Sequence, residues 1–153
     1  MSPFAVDVTW ESCGCLTFIV DHGVNRLRIL ASDMLPPLDD MFSGFVALTQ
    51  GERHARFRCW AEPSEFRWLI TADDGFARVR LLVFPDLHER LPDDQGRLIM
   101  AADMPVRTLV TAFVTPLRAR LDRVGEDAFP RTWRGLPFPV DHLRTLEEWL
   151  ARK

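Results

Sequence analysis

The chain has 153 residues, of which 47% are hydrophobic and 27% are charged, and its formal net charge is -3. These values are typical of one globular domain, residues 1–153, that can bury a full core, and they exclude a disordered chain and a generally basic nucleic-acid binder. Because the sequence has no signal-peptide pattern and no apolar run of about 20 residues, we expect a cytoplasmic, bacterial-type protein without membrane spans.

The first part of the chain predicts a block of three strands followed by a helix. Apolar residues alternate with polar or small ones over residues 4–10, as in a half-buried strand. Two more apolar runs, residues 16–20 and 26–31, flank a turn signal that ends at Gly23 and together predict a hairpin. A helix is predicted over residues 36–49, because proline suits a first helical turn and the apolar residues form one stripe.

Residues 56–84 predict a three-stranded meander with one apolar face. Asp74-Gly75 is a strong signal for a tight hairpin turn. A fold at this turn pairs apolar residues only: Ile70 with Val79, Trp68 with Leu81, and Phe66 with Val83. A second turn at residues 62–65 sets Cys59 opposite Trp68 and Phe57 opposite Ile70. We therefore expect one buried face on this meander: Phe57, Cys59, Phe66, Trp68, Ile70, Val79, Leu81 and Val83.

The last part of the chain predicts a polar loop, a short strand and two helices. Residues 85–96 are mostly polar, and a short strand is predicted over residues 97–101. Asp103 is predicted to cap a helix that reaches Val124 and that is kinked or broken at Pro116. The final helix is predicted from Val140 to Ala151. The chain as a whole predicts an α+β fold, in which an antiparallel sheet of six or seven strands in two meander blocks carries three helices on one face.

The opposite face of the meander is the candidate functional surface. Its candidate binding residues are arginines and one tryptophan: Arg56, Arg58, Trp60, Arg67, Arg78 and Arg80. Lys153 is the single lysine among 19 basic residues, so the abundance of arginine reflects the composition of the whole chain and only its clustering is informative. Arginines that lie opposite each other repel, and a cluster of them is easier to understand if an acidic group docks there. Alternatively, the face is simply a solvated sheet surface.

Two classes of function fit this surface, and a third ranks behind them. The first is a non-catalytic protein-binding domain, such as an adaptor, a chaperone-like or a toxin-neutralising protein, with a partner at the Arg face or at residues 133–139. A twofold homodimer is also expected, through the Arg face, through an exposed edge strand or through the C-terminal helix around Trp149. The alternative is a domain or enzyme that holds a small carboxylate or phosphate ligand with these arginines. Binding of single-stranded nucleic acid ranks last, since only Trp60 is available to stack bases. A concave pocket would favour a ligand, whereas a flat patch would favour a partner.

The remaining chemical signals are weak, and we expect no catalytic residues, no metal and no cofactor. No P-loop, dinucleotide-binding turn, nucleophile elbow or zinc-protease motif is present. We expect Cys13, Cys15 and Cys59 to be reduced thiols, because three is an odd number and Cys13 and Cys15 are poorly placed to bridge each other. Their spacing also does not match a structural zinc site. Residues 86–94, which include Asp86, His88 and Glu89, are expected to form a solvated loop rather than a metal or acid-base site. The apolar connection at residues 133–139 is interpreted as a lid over the core or as a binding edge.

Overall fold

A computed structural model describes residues 4–10, 15–32, 37–125 and 138–152. Within these residues the protein has seven strands in two antiparallel sheets and three helices, which confirms the predicted α+β fold. The strands are β1 (Ala5–Trp10), β2 (Cys15–His22), β3 (Asn25–Ser32), β4 (His54–Ala61), β5 (Ser64–Asp73), β6 (Phe76–Phe84) and β7 (Arg97–Pro105). The helices are α1 (Pro37–Thr49), α2 (Val106–Val124) and α3 (Val140–Ala151).

The first sheet is the predicted meander, with the order β1-β2-β3. Gly23 has a φ of 63° in the turn between β2 and β3, a conformation that glycine adopts without steric cost. Val8, Phe18 and Ile29 lie side by side on three adjacent strands and are all buried. The face that these residues share therefore points into the core.

The second sheet has the order β4-β5-β6-β7, and its central hairpin confirms the predicted register. Asp74 and Gly75 have φ angles of 51° and 79°, as a tight two-residue turn requires. The predicted pairs are all present in the register of β5 and β6: Ile70 with Val79, Trp68 with Leu81, and Phe66 with Val83.

The predicted register between β4 and β5 is wrong by two residues. Cys59 lies opposite Phe66 and Phe57 lies opposite Trp68, because the two strands are joined by a two-residue turn at Glu62-Pro63 rather than by a longer one. Because side chains alternate with a period of two, a shift of two residues leaves every side chain on its predicted face. Phe66 and Val83 are on the inner face but are partly exposed, and the other predicted core residues are buried.

The core lies between the inner faces of the sheets and the helices. Trp68 is completely buried and stacks on Phe57, with ring centroids 5.5 Å apart. Phe113 of α2 meets the ring of Trp68 edge-on at 5.5 Å and lies 5.0 Å from the ring of Phe45 of α1. Such aromatic contacts add about 0.5–1.5 kcal/mol per pair beyond the burial of area. Phe113 thus joins α1 and α2 to the second sheet.

The boundary between β7 and α2 differs from the prediction. Asp103 belongs to β7, which continues to Pro105, and Pro105 takes the position before the first helical residue, Val106. The helix also runs through Pro116 without a break. Phe113 and Leu117, on either side of this proline, are both buried, and their packing outweighs the loss of one backbone hydrogen bond.

Two predictions fall on residues about which the structure says little. The segment at residues 133–137 and Cys13 lie outside the described residues, as does the side chain of Cys15. Phe138, at the end of that segment, is buried and packs on Phe42 with ring centroids 5.9 Å apart. Among the described helices, none combines the length and the apolar character needed to cross a membrane.

Candidate functional site

The outer face of the second sheet, which points away from the core, carries all six candidate residues. Arg56, Arg58 and Trp60 are on β4, Arg67 is on β5, and Arg78 and Arg80 are on β6. Arg58 lies directly opposite Arg67. Leu69 lies between Arg56 and Arg80 in one row across three strands. Strict alternation along the strands places these side chains together, as predicted.

Arg67 differs from the other arginines because it is buried. Its side chain is only 3% exposed, and its Nε donates a hydrogen bond of 2.7 Å to Oε2 of Glu65, which is also buried. Its Nη1 donates to Oδ1 of Asp93 at 2.7 Å and to the carbonyl oxygen of Leu91 at 2.9 Å. The guanidinium carbon lies 3.9 Å from the ring centroid of Phe84. Arg67 is therefore held by three hydrogen bonds and by one aromatic ring of the protein.

The electrostatics of Arg67 follow from these contacts. Burial by itself lowers the pKa of a cation, but the hydrogen bonds and the negative charges of Glu65 and Asp93 outweigh burial, and the pKa of Arg67 is raised. The guanidinium thus stays charged. It neutralises Glu65, a carboxylate that would be costly to bury alone.

The segment that covers Arg67 is residues 85–96, here named the cover segment. The backbone N–H of Leu87 donates to the carbonyl oxygen of Pro63 at 2.9 Å, and the Leu87 side chain is buried. Gly96 lies so close to Phe84 that a Cβ atom added to Gly96 would be 2.6 Å from the phenyl ring. Asp93 reaches Arg56 as well as Arg67. The segment expected to be a solvated loop is therefore docked on the outer face through Asp93 and Gly96, and on the turn between β4 and β5 through Leu87.

A cleft of about 440 Å³ opens between β4 and the cover segment. Its lining residues are Arg56, Arg58, Trp60, Arg67, Leu87, His88, Arg90 and Leu91. Four of these eight residues are arginines, and no described carboxylate is among them. We call this site the basic cleft.

Two of the four arginines in the basic cleft lack a negative partner. Arg56 and Arg67 share Asp93, but Arg58 and Arg90 form no ion pair with any residue that the structure describes. The guanidinium of Arg58 lies 5.6 Å from the ring centroid of Trp60, a cation–π contact that supports it without neutralising it. Arg90 has a φ of 52°, an uncommon value for a residue with a side chain.

A second cleft, of about 610 Å³, lies at the other end of the outer face. Its lining residues are Thr71, Asp73, Phe76, Arg78, Arg80 and Asp103. Two arginines face two aspartates here, and Arg78 is 3.5 Å from Asp103 in an exposed ion pair. We call this site the balanced cleft.

The structure thus divides the six candidate residues between two clefts. Arg56, Arg58 and Trp60 line the basic cleft together with an edge of the buried Arg67, whereas Arg78 and Arg80 line the balanced cleft. Arg90, His88 and Leu91 also line the basic cleft but are not among the predicted binding residues. No periodic pattern marks these residues, because they lie on the cover segment. The pairing of Glu65 with Arg67 did have a signal, since residues two apart on one strand share a face.

The other chemical candidates do not form a site in the described part of the chain. Cys59 is buried next to the core, and burial raises the pKa of its thiol to about 12, so it stays protonated and unreactive. Asp86 accepts a hydrogen bond of 2.9 Å from the backbone N–H of His88 and shapes the local turn. Over the described ranges, no three His, Cys, Asp or Glu side chains converge as ligands for a metal ion.

Comparisons of the chain with models of protein families, with curated proteins and with solved structures found no match. The chemistry of the basic cleft is therefore the basis for assigning a function.

Proposed function

We propose that the protein binds an anionic ligand in the basic cleft. The observation that supports this function is the pair of unneutralised guanidinium groups, Arg58 and Arg90, on the wall of a concave site. Unpaired like charges on one surface repel each other, and an anion between them removes that repulsion. Arginine also has the donor geometry that matches carboxylate and phosphate oxygens in pairs.

The size of the basic cleft is compatible with a small ligand. A volume of about 440 Å³ is in the range of about 300–1,000 Å³ that is usual for sites of small organic molecules. Arg67, with its partners Glu65 and Asp93, forms a fixed back wall, because all its polar contacts are within the protein. A site with a rigid wall is pre-organised, and less free energy is then lost in ordering the site when the ligand binds.

The experiment is a calorimetric titration of the protein with inorganic phosphate, at low salt because screening weakens exposed charges. We expect measurable binding to the wild-type protein and a loss of about tenfold or more in Arg58→Gln/Arg90→Gln, since each charge-assisted hydrogen bond contributes about 1.5–3 kcal/mol. Arg78→Gln is the matched control, because it removes an exposed arginine of the same face from the balanced cleft, and it should bind within about twofold of the wild type. Absence of binding, or an equal loss in the control, would refute the function.

A protein partner at the balanced cleft is a second candidate, because Phe76 is 52% exposed there among Arg78 and Arg80. Aromatic residues and arginines are enriched in the centres of protein interfaces. The simplest partner is a second copy of the chain in a twofold dimer. Light scattering of wild-type protein and of Phe76→Ser distinguishes the cases: a dimer that becomes monomeric in the variant supports this candidate, and a monomeric wild type rejects the dimer.

A further inference from the structure

The basic cleft combines its charges with an apolar wall. Trp60 and Leu91 are half-buried and line the same space as the arginines, as does the buried Leu87. Trp60 belongs to β4 and Leu91 to the cover segment, so the apolar surface is contributed by both sides of the cleft. An inorganic ion would leave this surface in contact with water, whereas an organic ligand with a flat apolar group would cover it.

The charge of the cleft gives a second constraint on the ligand. Among the described residues, Asp93 and Glu65 are paired with Arg56 and Arg67, so that these four groups cancel. Arg58 and Arg90 are left with two positive charges. A carboxylate would neutralise one of them, whereas a phosphate monoester carries about 1.5–2 negative charges at neutral pH and matches both.

From these two constraints we infer that the ligand is a phosphate monoester that carries an aromatic ring, with the phosphate between Arg58 and Arg90 and the ring against Trp60 and Leu91. This inference rests on the proposed function and adds the class of ligand to it. The phosphate provides three acceptor oxygens for the guanidinium donors. The ring takes the place of water on the apolar wall.

Three small probes test the two parts of the inference separately in the wild-type protein at pH 8. Phenyl phosphate carries both features, methyl phosphate lacks the ring, and phenyl sulfate keeps the ring but carries one negative charge. We expect phenyl phosphate to bind about tenfold more tightly than methyl phosphate, because it covers apolar surface and makes ring contacts. We also expect phenyl phosphate to bind about tenfold more tightly than phenyl sulfate, because it can neutralise the second arginine.

Variants of the apolar wall test whether Trp60 and Leu91 cause the preference for phenyl phosphate over methyl phosphate. Trp60→Leu should reduce the preference for phenyl phosphate over methyl phosphate to about threefold or less, and Trp60→Phe should retain it, since phenylalanine keeps an aromatic face. Leu91→Ala is a second variant on the other side of the cleft and should reduce the same preference, which keeps the test valid if Trp60→Leu does not fold. Each preference is a ratio of two affinities measured on the same variant, so an effect of Trp60→Leu on the neighbouring Arg58 changes both affinities and leaves the ratio as the measure of ring binding.

The results separate the inference from the function on which it rests. If inorganic phosphate binds in a way that needs Arg58 and Arg90 but either preference is below about threefold, the function stands and the aromatic phosphate is rejected. If neither inorganic phosphate nor any of the three probes binds, both are rejected. If both preferences are present and the ring preference survives Trp60→Leu and Leu91→Ala alike, the ring binds elsewhere and the inference is overturned.

Discussion

Arg67 and Arg80 have similar positions on neighbouring strands of the outer face, but their environments are opposite. Arg67 on β5 lies under the cover segment, with two carboxylates, a carbonyl oxygen and the ring of Phe84 around its guanidinium. Arg80 on β6 is exposed and forms no ion pair with any described residue. The face on which a side chain lies is thus set by its strand, whereas its role is set by what covers that face.

The same difference separates the two clefts. The cover segment adds Arg90 and His88 to the arginines of β4, and the resulting basic cleft contains no described carboxylate among its lining residues. At the other end of the face the lining comes from β5, β6 and β7, and two aspartates accompany two arginines. A surface arginine near a carboxylate in water contributes little to binding or stability. The half of the outer face next to the cover segment, here called the covered half, therefore has arginines that are not balanced by carboxylates, on a surface that protein contacts hold in place.

The largest effect is expected from Arg67→Met. This change leaves Glu65 buried without its partner, and the removal of one member of a buried ion pair costs about 3–5 kcal/mol. Arg80→Met is the matched control, because it makes the same substitution on the open half and should change the free energy of unfolding by no more than about 0.5 kcal/mol. Denaturant unfolding of both proteins measures the difference.

A double variant shows whether the cost arises from the unpaired carboxylate. Glu65→Met with Arg67→Met removes both charges and should regain most of the lost stability, because apolar residues often replace a buried ion pair at little cost. Equal stability of Arg67→Met and Arg80→Met would contradict the contrast between the covered and the open half of the face.

An intermediate effect is expected from Gly96→Ala, which tests how tightly the cover segment is docked. Gly96 has a φ of -81° and a ψ of 155°, which any residue can adopt, so the backbone itself does not oppose alanine. The added Cβ would lie 2.6 Å from the ring of Phe84, and we expect a loss of about 1–3 kcal/mol from overpacking.

The exposed neighbour provides the control for that variant. Gln95→Ala should cost less than about 0.5 kcal/mol, since Gln95 is at the surface. In a Phe84→Leu background the cost of Gly96→Ala should fall, because the smaller side chain leaves room for the methyl group. An unchanged cost in that background would show that contact with Phe84 is not the cause.

The sequence predicts the faces of the second sheet well, because two local signals agree there. Asp74-Gly75 specifies a two-residue turn, and the apolar pairs that follow from it, such as Trp68 with Leu81, are all observed. The turn at Glu62-Pro63 is less specific, and the prediction placed the strands two residues out of register. The predicted faces are nevertheless correct, because a register shift by an even number of residues leaves each side chain on the same face of the sheet.

The cover of the outer face could not be predicted from the sequence in the same way. Residues 85–96 have no helical or strand period, so their position depends on contacts with distant residues such as Pro63 and Arg67. Phe84 is on the outer face but is buried, next to Gly96 of the cover segment and to the guanidinium of Arg67. For this reason only one wall of the basic cleft was predicted from the sequence. The residues on β4 were predicted, whereas Arg90 and the rest of the cover-segment wall were not.

Buried and exposed ion pairs can be compared in the same way, because an exposed pair joins α2 and α3. Arg118 donates to both carboxylate oxygens of Glu147, at 2.6 Å and 2.9 Å, a geometry as favourable as that of Arg67 with Glu65. Both side chains of this helical pair are 33% exposed, however, whereas those of Arg67 and Glu65 are 3% and 2% exposed. Solvent screens the helical pair, and an unpaired member can be hydrated.

The smallest effect is therefore expected from Glu147→Gln, at about 0.5–1 kcal/mol at neutral pH. The hydrogen bonds from Arg118 lower the pKa of Glu147 below its ordinary value of 4.5, against a smaller opposing effect of burial. A carboxylate with a lowered pKa in the folded protein stabilises the fold at pH values above 4.5, and this contribution is lost as the pH falls through the lowered pKa. The stability difference between wild type and Glu147→Gln should accordingly be constant near neutrality and should close in acid.

Urea unfolding at a series of pH values measures this difference, and effects of other titrating groups cancel between the two proteins. Glu148→Gln is the control, because Glu148 is exposed and forms no ion pair with a described residue, so its replacement should have a smaller effect at neutral pH. If Glu147→Gln instead cost as much as Arg67→Met, exposure would not determine how much an ion pair matters in this protein. The contrast between the covered and the open arginines would then need another cause, such as the stacking of Arg67 on Phe84.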